Sequence, residues 1–78
     1  MHLLIAKVNE TLYEAEAYSV RAPGAAGEMT ILSEHMPLVT PLKPGVIYVR
    51  KEKDAIEQEF IVTAGILEVH KSGVTVLL

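Results

Sequence analysis

The chain has no cysteine and no tryptophan, one phenylalanine, three tyrosines, and no long apolar run in its 78 residues. Each shortage removes a class of protein. Without thiols there is no disulfide framework and no thiolate zinc site, so the fold has to be held by the half of the residues that are apolar. A reducing compartment is compatible with that composition. Few aromatic rings and a net charge of −3, with acids and bases interleaved, leave neither stacking platforms nor a basic field for a phosphate backbone. Nucleic acid is excluded as a partner on those grounds. No apolar segment approaches the roughly 20 residues that cross a bilayer as a helix, and Met1-His2 opens into a strand-like segment without a positive leader. Membrane association is therefore expected only through another protein.

What is present is alternation. One domain spanning 1–78 is expected, since a chain this short buries only about 60% of its unfolded surface and cannot support a second core. The segments HLLIAKV (2–8), VIYVRKE (46–52), EQEFIVTA (57–64), ILEVHK (66–71) and VTVLL (74–78) are rich in β-branched and aromatic residues and read as strands. TLYEAEAYSVRA (11–22) reads as one long strand or two short ones that bend or change faces midway. Asn9-Glu10, Pro23-Gly24, Pro44-Gly45, Lys53-Asp54 and Ser72-Gly73 supply turns at the spacing of an all-β sandwich or barrel. KEKDAIEQEF (51–60) has Ile56 and Phe60 at helical spacing but no cap, and is read as a hairpin. The expected fold is a small flattened β-sandwich or barrel of about eight to ten short strands.

The chemistry-bearing residues are scattered. APGAAG (22–27) lacks the Gly-Lys-Ser/Thr and following helix of a phosphate cradle and is an ordinary turn. His2, His35 and His70 stand singly, which makes them surface or interface histidines rather than metal ligands. Glu14/Glu16 and Glu57/Glu59 alternate along strands without a nucleophile or orienting partner, and read as solvated faces. No cofactor, no metal and no catalytic residue is expected, and by subtraction the chain reads as an interaction module.

GEMTILSEHMPLVTPLKPG (27–45) is the odd stretch, read as a stiff but greasy connection, with Pro37, Pro41 and Pro44 restricting the backbone. Together with EFIVTAGILEV (59–69) and VTVLL (74–78) it resembles the β-sandwich domain of the epsilon subunit of rotary ATP synthases. The familiar pattern there is Gly-Glu-x-Gly-Ile-Leu-x-x-His-x-Pro-Leu-Val-Thr-x-Leu-Lys-Pro-Gly followed by Gly-Gly-x-Leu-Glu-Val, and Leu12-Tyr13-Glu14-Ala15-Glu16 matches an earlier Leu-Tyr-Glu-Gly-Glu element. Departures are Thr30 for a Gly, Ser33-Glu34 for a Pro-Gly, and Ala64 for the first Gly before Ile66; a positive φ at 30 or 34 would strain this chain.

The resemblance implies a non-catalytic central-stalk subunit of a proton-transporting ATP synthase. It would link the gamma subunit to the c-ring within the alpha/beta/gamma/epsilon assembly, on the cytoplasmic face of a bacterial inner membrane or the equivalent face of an organelle. By position it assigns Glu28 to the c-ring, and His35, Leu38 and Thr40 to gamma, with Ile31, Leu32, Val39 and Leu42 in the core or facing gamma. Members usually continue into a two-helix hairpin, whose inhibitory and nucleotide-sensing roles are not expected of residues ending at Leu78. The competing reading is a lipoyl- or biotinyl-type carrier domain with Lys53 at a hairpin tip.

Overall fold

The computed structural model describes residues 1–78 and contains nine strands and no helix. They are β1 (His2–Lys7), β2 (Glu10–Glu16), β3 (Ser19–Gly24), β4 (Gly27–Ile31), β5 (Leu38–Leu42), β6 (Gly45–Arg50), β7 (Gln58–Val62), β8 (Gly65–His70) and β9 (Gly73–Leu77). The expected strands are all there, within a residue or two at each end. The stretch 27–45 departs from its reading as a connection: most of it is strand, β4 and β5, with an irregular link only at 32–37. Its apolar residues follow the period of two, so Ile31 and Leu42 are buried while Leu32 and Val39 are exposed.

Hydrogen-bonded neighbours run β2-β1-β9-β8-β5-β3-β6-β7, with β4 on the other edge of β3. All pairs are antiparallel except β1 with β9. The sheet curls into two layers, β2-β1-β9-β8-β5 and β7-β6-β3-β4, because β5 touches β3 at one residue pair only, Gly24 with Leu42. There the Ala25 N–H donates to the Pro41 carbonyl at 2.9 Å and the Lys43 N–H to the Pro23 carbonyl at 2.8 Å.

The second crossing lies at the opposite end, where the chain passes from β2 to β3. Ala17 N–H donates to the Met1 carbonyl and the next residue, Tyr18, to the Arg50 carbonyl, both at 2.8 Å, so consecutive peptides belong to different layers. The inward parity changes there too, from Ala15 and Ala17 to Val20 and Ala22. This is the change of faces that the alternation in 11–22 left open.

Between the layers lies one cluster of 14 buried side chains, all apolar: Leu3, Ile5, Ala17, Val20, Ala22, Ile31, Leu42, Ile47, Val49, Val62, Leu67, Val69, Val74 and Val76. Leu3, Ile5, Leu67 and Val76 from one layer and Val20, Ile31, Ile47 and Val49 from the other retain no accessible surface. Burial of each such side chain contributes about 1.5–3 kcal/mol, and no buried polar side chain offsets it. The molecule measures 27 × 25 × 21 Å, a mildly flattened body.

Candidate functional site

Strand polarity sorts the loops onto two ends of the sandwich. One end carries Val8-Asn9, Ala25-Ala26, Lys43-Pro44, Thr63-Ala64 and Leu78, whose only charged side chain is Lys43. The other carries Ala17-Tyr18, the link 32–37, the connection 51–57 and Lys71-Ser72, with Glu34, His35, Lys51, Glu52, Lys53, Asp54, Glu57 and Lys71 among them. One end is thus the poorer in charge, with Lys43 and the flanking Lys7 and Glu10, and the other is densely charged.

Glu28 follows the turn at the charge-poor end. Gly27 before it has φ 133°, a conformation open to glycine and disfavoured for other residues, and this turn delivers Glu28 to the outer face of β4 with its side chain 59% exposed. Its carboxylate lies 3.5 Å from the Arg21 guanidinium, a long and weak contact. Arg21 is held more firmly elsewhere: it stacks 4.0 Å above the Tyr48 ring and donates to both Glu57 oxygens at 3.2 and 3.3 Å. Glu57 also pairs with Arg50 at 3.5 Å, and Arg50 donates to the Ala55 carbonyl at 2.6 Å, which ties down the connection 51–57. Desolvation works against the Arg21 charge, but the hydrogen bond to Glu57 and the charges of Glu57, Glu28 and Tyr48 outweigh it and hold its pKa above the ordinary value.

Sequence reading missed this group. Arg21 and Glu57 lie 36 positions apart, and nothing local to either signals the pairing.

His35 sits at the charged end, in the link between β4 and β5. Its Nδ1 lies 2.8 Å from the Met36 carbonyl, which can only accept, so Nδ1 carries the hydrogen. Just before it, the His35 N–H donates to the Leu32 carbonyl at 3.2 Å and closes a turn in which Glu34 has φ 68°. That is the φ > 0 position of a type II turn, where glycine is preferred. Thr30 lies in regular strand and is not strained, so of the two doubtful positions only 34 has the disfavoured geometry. Beside His35 a hollow of about 510 Å³ is lined by Leu32, Pro37, His70 and Lys71 among others.

Leu38 and Thr40 are not with His35. They point inward from β5 into a second cleft, about 340 Å³, on the open side of the sandwich between β4 and β5; Gly27, Glu28 and Met29 line its opposite wall. The four expected contact residues therefore fall into two places, Glu28 and His35 toward opposite ends, with Leu38 and Thr40 across a cleft from Glu28. Lys53 is exposed in the connection between β6 and β7.

The family described as "ATP synthase, Delta/Epsilon chain, beta-sandwich domain" matches residues 1–78. The ATP synthase epsilon chains of Herminiimonas arsenicoxydans and Polaromonas naphthalenivorans are each 38% identical to this chain over 77 residues, 99% of its length and 55% of theirs. The chain thus spans about half the length of these curated relatives. In three dimensions it resembles a chain of the Euglena gracilis mitochondrial ATP synthase (OSCP/F1/c-ring), with TM-score 0.86 and 21% identity over 96% of this chain and 48% of that one. A chain of the Tetrahymena thermophila mitochondrial ATP synthase central stalk and c-ring gives TM-score 0.80 at 18% identity, over 99% and 61%. The carrier reading of Lys53 finds no support, because the match to this different sandwich runs the full length.

Proposed function

The chain belongs to the ATP synthase delta/epsilon β-sandwich family, and from that premise we propose that it is a non-catalytic piece of the central stalk of a rotary ATP synthase. It joins the gamma subunit to the c-ring, passes rotation between them and so couples ion translocation to ATP synthesis, without a cofactor. It reaches the membrane only through the complex, on the cytoplasmic face of a bacterial inner membrane or its organellar equivalent.

The observation that carries this reading is the pairing of one closed core with two unlike ends. A torque-bearing part must not deform. Here both crossings between layers are locked by backbone hydrogen bonds, and a single apolar cluster fills the space between them. A charge-poor end bearing Glu28 and a charged end bearing His35 give two partners chemically distinct surfaces.

On this reading Glu28 faces the c-ring, while His35, Leu38 and Thr40 face gamma. Since Leu38 and Thr40 lie across the β4/β5 cleft from Glu28, the boundary between the two interfaces runs along that cleft. Single cysteines at positions 28 and 40 in the assembled enzyme test the orientation: position 28 should cross-link to the c-ring and position 40 to gamma. The same product from both would overturn it. Purification of the tagged chain from membranes should bring alpha, beta and gamma with it.

A further inference from the structure

Besides β5, whose second edge meets β3 only at Gly24 and Leu42, three strands of the sandwich have an unpaired edge: β2, β7 and β4. The first two guard each other. β2 carries Glu10, Glu14 and Glu16 and bulges at Leu12; β7 carries Gln58 and Glu59; and the Tyr13 and Phe60 rings fill the seam between them. β4 has none of these protections beyond Glu28. It has no proline, lysine or bulge, and the cleft floored by Met29 and Leu38 opens beside it.

Which backbone groups of β4 are free follows from the register. The hairpin closes on Gly24 and Gly27 around Ala25-Ala26, and a two-residue loop makes its closing pair a hydrogen-bonded one. Pairs then alternate, so Pro23 with Glu28 and Arg21 with Thr30 are non-hydrogen-bonded. Pro23 corroborates this: it has no N–H to give, and its carbonyl accepts from Lys43 on the edge away from β4. The N–H and C=O groups of both Glu28 and Thr30 therefore point out along an empty edge.

We propose that this edge accepts an extended polypeptide segment, which continues the layer β7-β6-β3-β4 by one strand. Register dictates its chemistry. A residue opposite Met29 turns inward to the cleft between Met29 and Leu38 and is apolar; a bare Gly27, beside which a Cβ would meet nothing within 4 Å, leaves room for it. A residue opposite Glu28 turns outward and is cationic. Glu28 holds Arg21 only at 3.5 Å, and Glu28, Glu57 and Glu59 outnumber Arg21 and Arg50 on that face. The segment thus alternates apolar residues with Lys or Arg. This inference rests on the edge geometry alone and stands whether or not the stalk reading above does.

The probe is the capped peptide KVKVKVK, titrated into the labelled protein and followed by amide NMR, with EVEVEVE and a backbone N-methylated KVKVKVK as controls. The Glu28 and Thr30 amides should shift and exchange more slowly with KVKVKVK alone. Thr30→Pro removes an edge N–H that the fold does not use, and should weaken binding at least about tenfold while leaving the rest of the spectrum in place. Glu28→Lys should reverse the charge preference toward EVEVEVE, a result that remains decisive if the proline variant fails to fold. Perturbations centred on β2 or β7, equal binding of the N-methylated peptide, or no binding of KVKVKVK in the millimolar range would each overturn the proposal.

Discussion

The rings of Tyr13 and Phe60 meet edge to face, with centroids 6.0 Å apart and planes at 78°, and join the two strands that end the hydrogen-bonded path through the sheet. No backbone ladder links β2 to β7, so this side of the sandwich is closed by side chains. Phe60→Ala should cost about 2 kcal/mol in urea unfolding, less than a full core truncation because the ring is only half-buried, and Phe60→Leu should recover all but about 1 kcal/mol. Full recovery in Phe60→Leu would show that the ring-ring geometry adds nothing to area.

Tyr13 also makes the fold sensitive to alkali. Desolvation first, and the charge of Glu16 second, raise its phenol pKa above the usual 10.0. The folded state thus keeps the proton longer than the unfolded one, and its contribution is whole below pH about 10 and lost as pH climbs through the folded value. Tyr13→Phe should flatten the decline in thermal stability above that pH. It should also cost about 1 kcal/mol at neutral pH, from the lost 2.8 Å bond to the Glu16 carbonyl.

Glu34 occupies a φ of 68° in the turn ahead of His35. Glu34→Gly should raise stability by about 0.5–1 kcal/mol, the relief of left-handed strain less the extra freedom of the unfolded glycine. Chemical denaturation is sufficient to measure it.

Gly73 is the opposite case. Its φ is 146°, and a Cβ would collide with the His2 carbonyl oxygen where β9 runs beside β1. Gly73→Ala should destabilise by about 3 kcal/mol or more, because the obstacle is backbone and cannot swing aside.

At the proposed interfaces, Glu28→Ala should weaken assembly by only about 0–1 kcal/mol, since the carboxylate is 59% exposed and its pairing is long. Leu38→Asp points a charge into the cleft and should cost several-fold more once a partner covers it. Co-purification yields of the two variants at matched expression make the comparison.

Alternation by itself determined that this chain is all-β and where most strands lie, because a period of two admits only one arrangement of in and out along a strand. The motif in 27–45 likewise identified the family, and the Pro-Gly counterpart at 33–34 singled out the turn at Glu34. Tertiary structure decided the rest. That 27–31 and 38–42 are strands, and not a greasy link, depends on partners at 20–24 and 65–69, which no local window contains. The change of faces at Ala17-Tyr18 became definite only when Met1 and Arg50 arrived from different layers to receive consecutive N–H groups. The Arg21–Glu57 pair, the Tyr13–Phe60 seam and the bare edge of β4 are all relations between segments far apart in the chain. Side-chain period sets each strand's buried face locally, whereas which strand edges are paired, stacked or left open is set by how the sheet folds over its core.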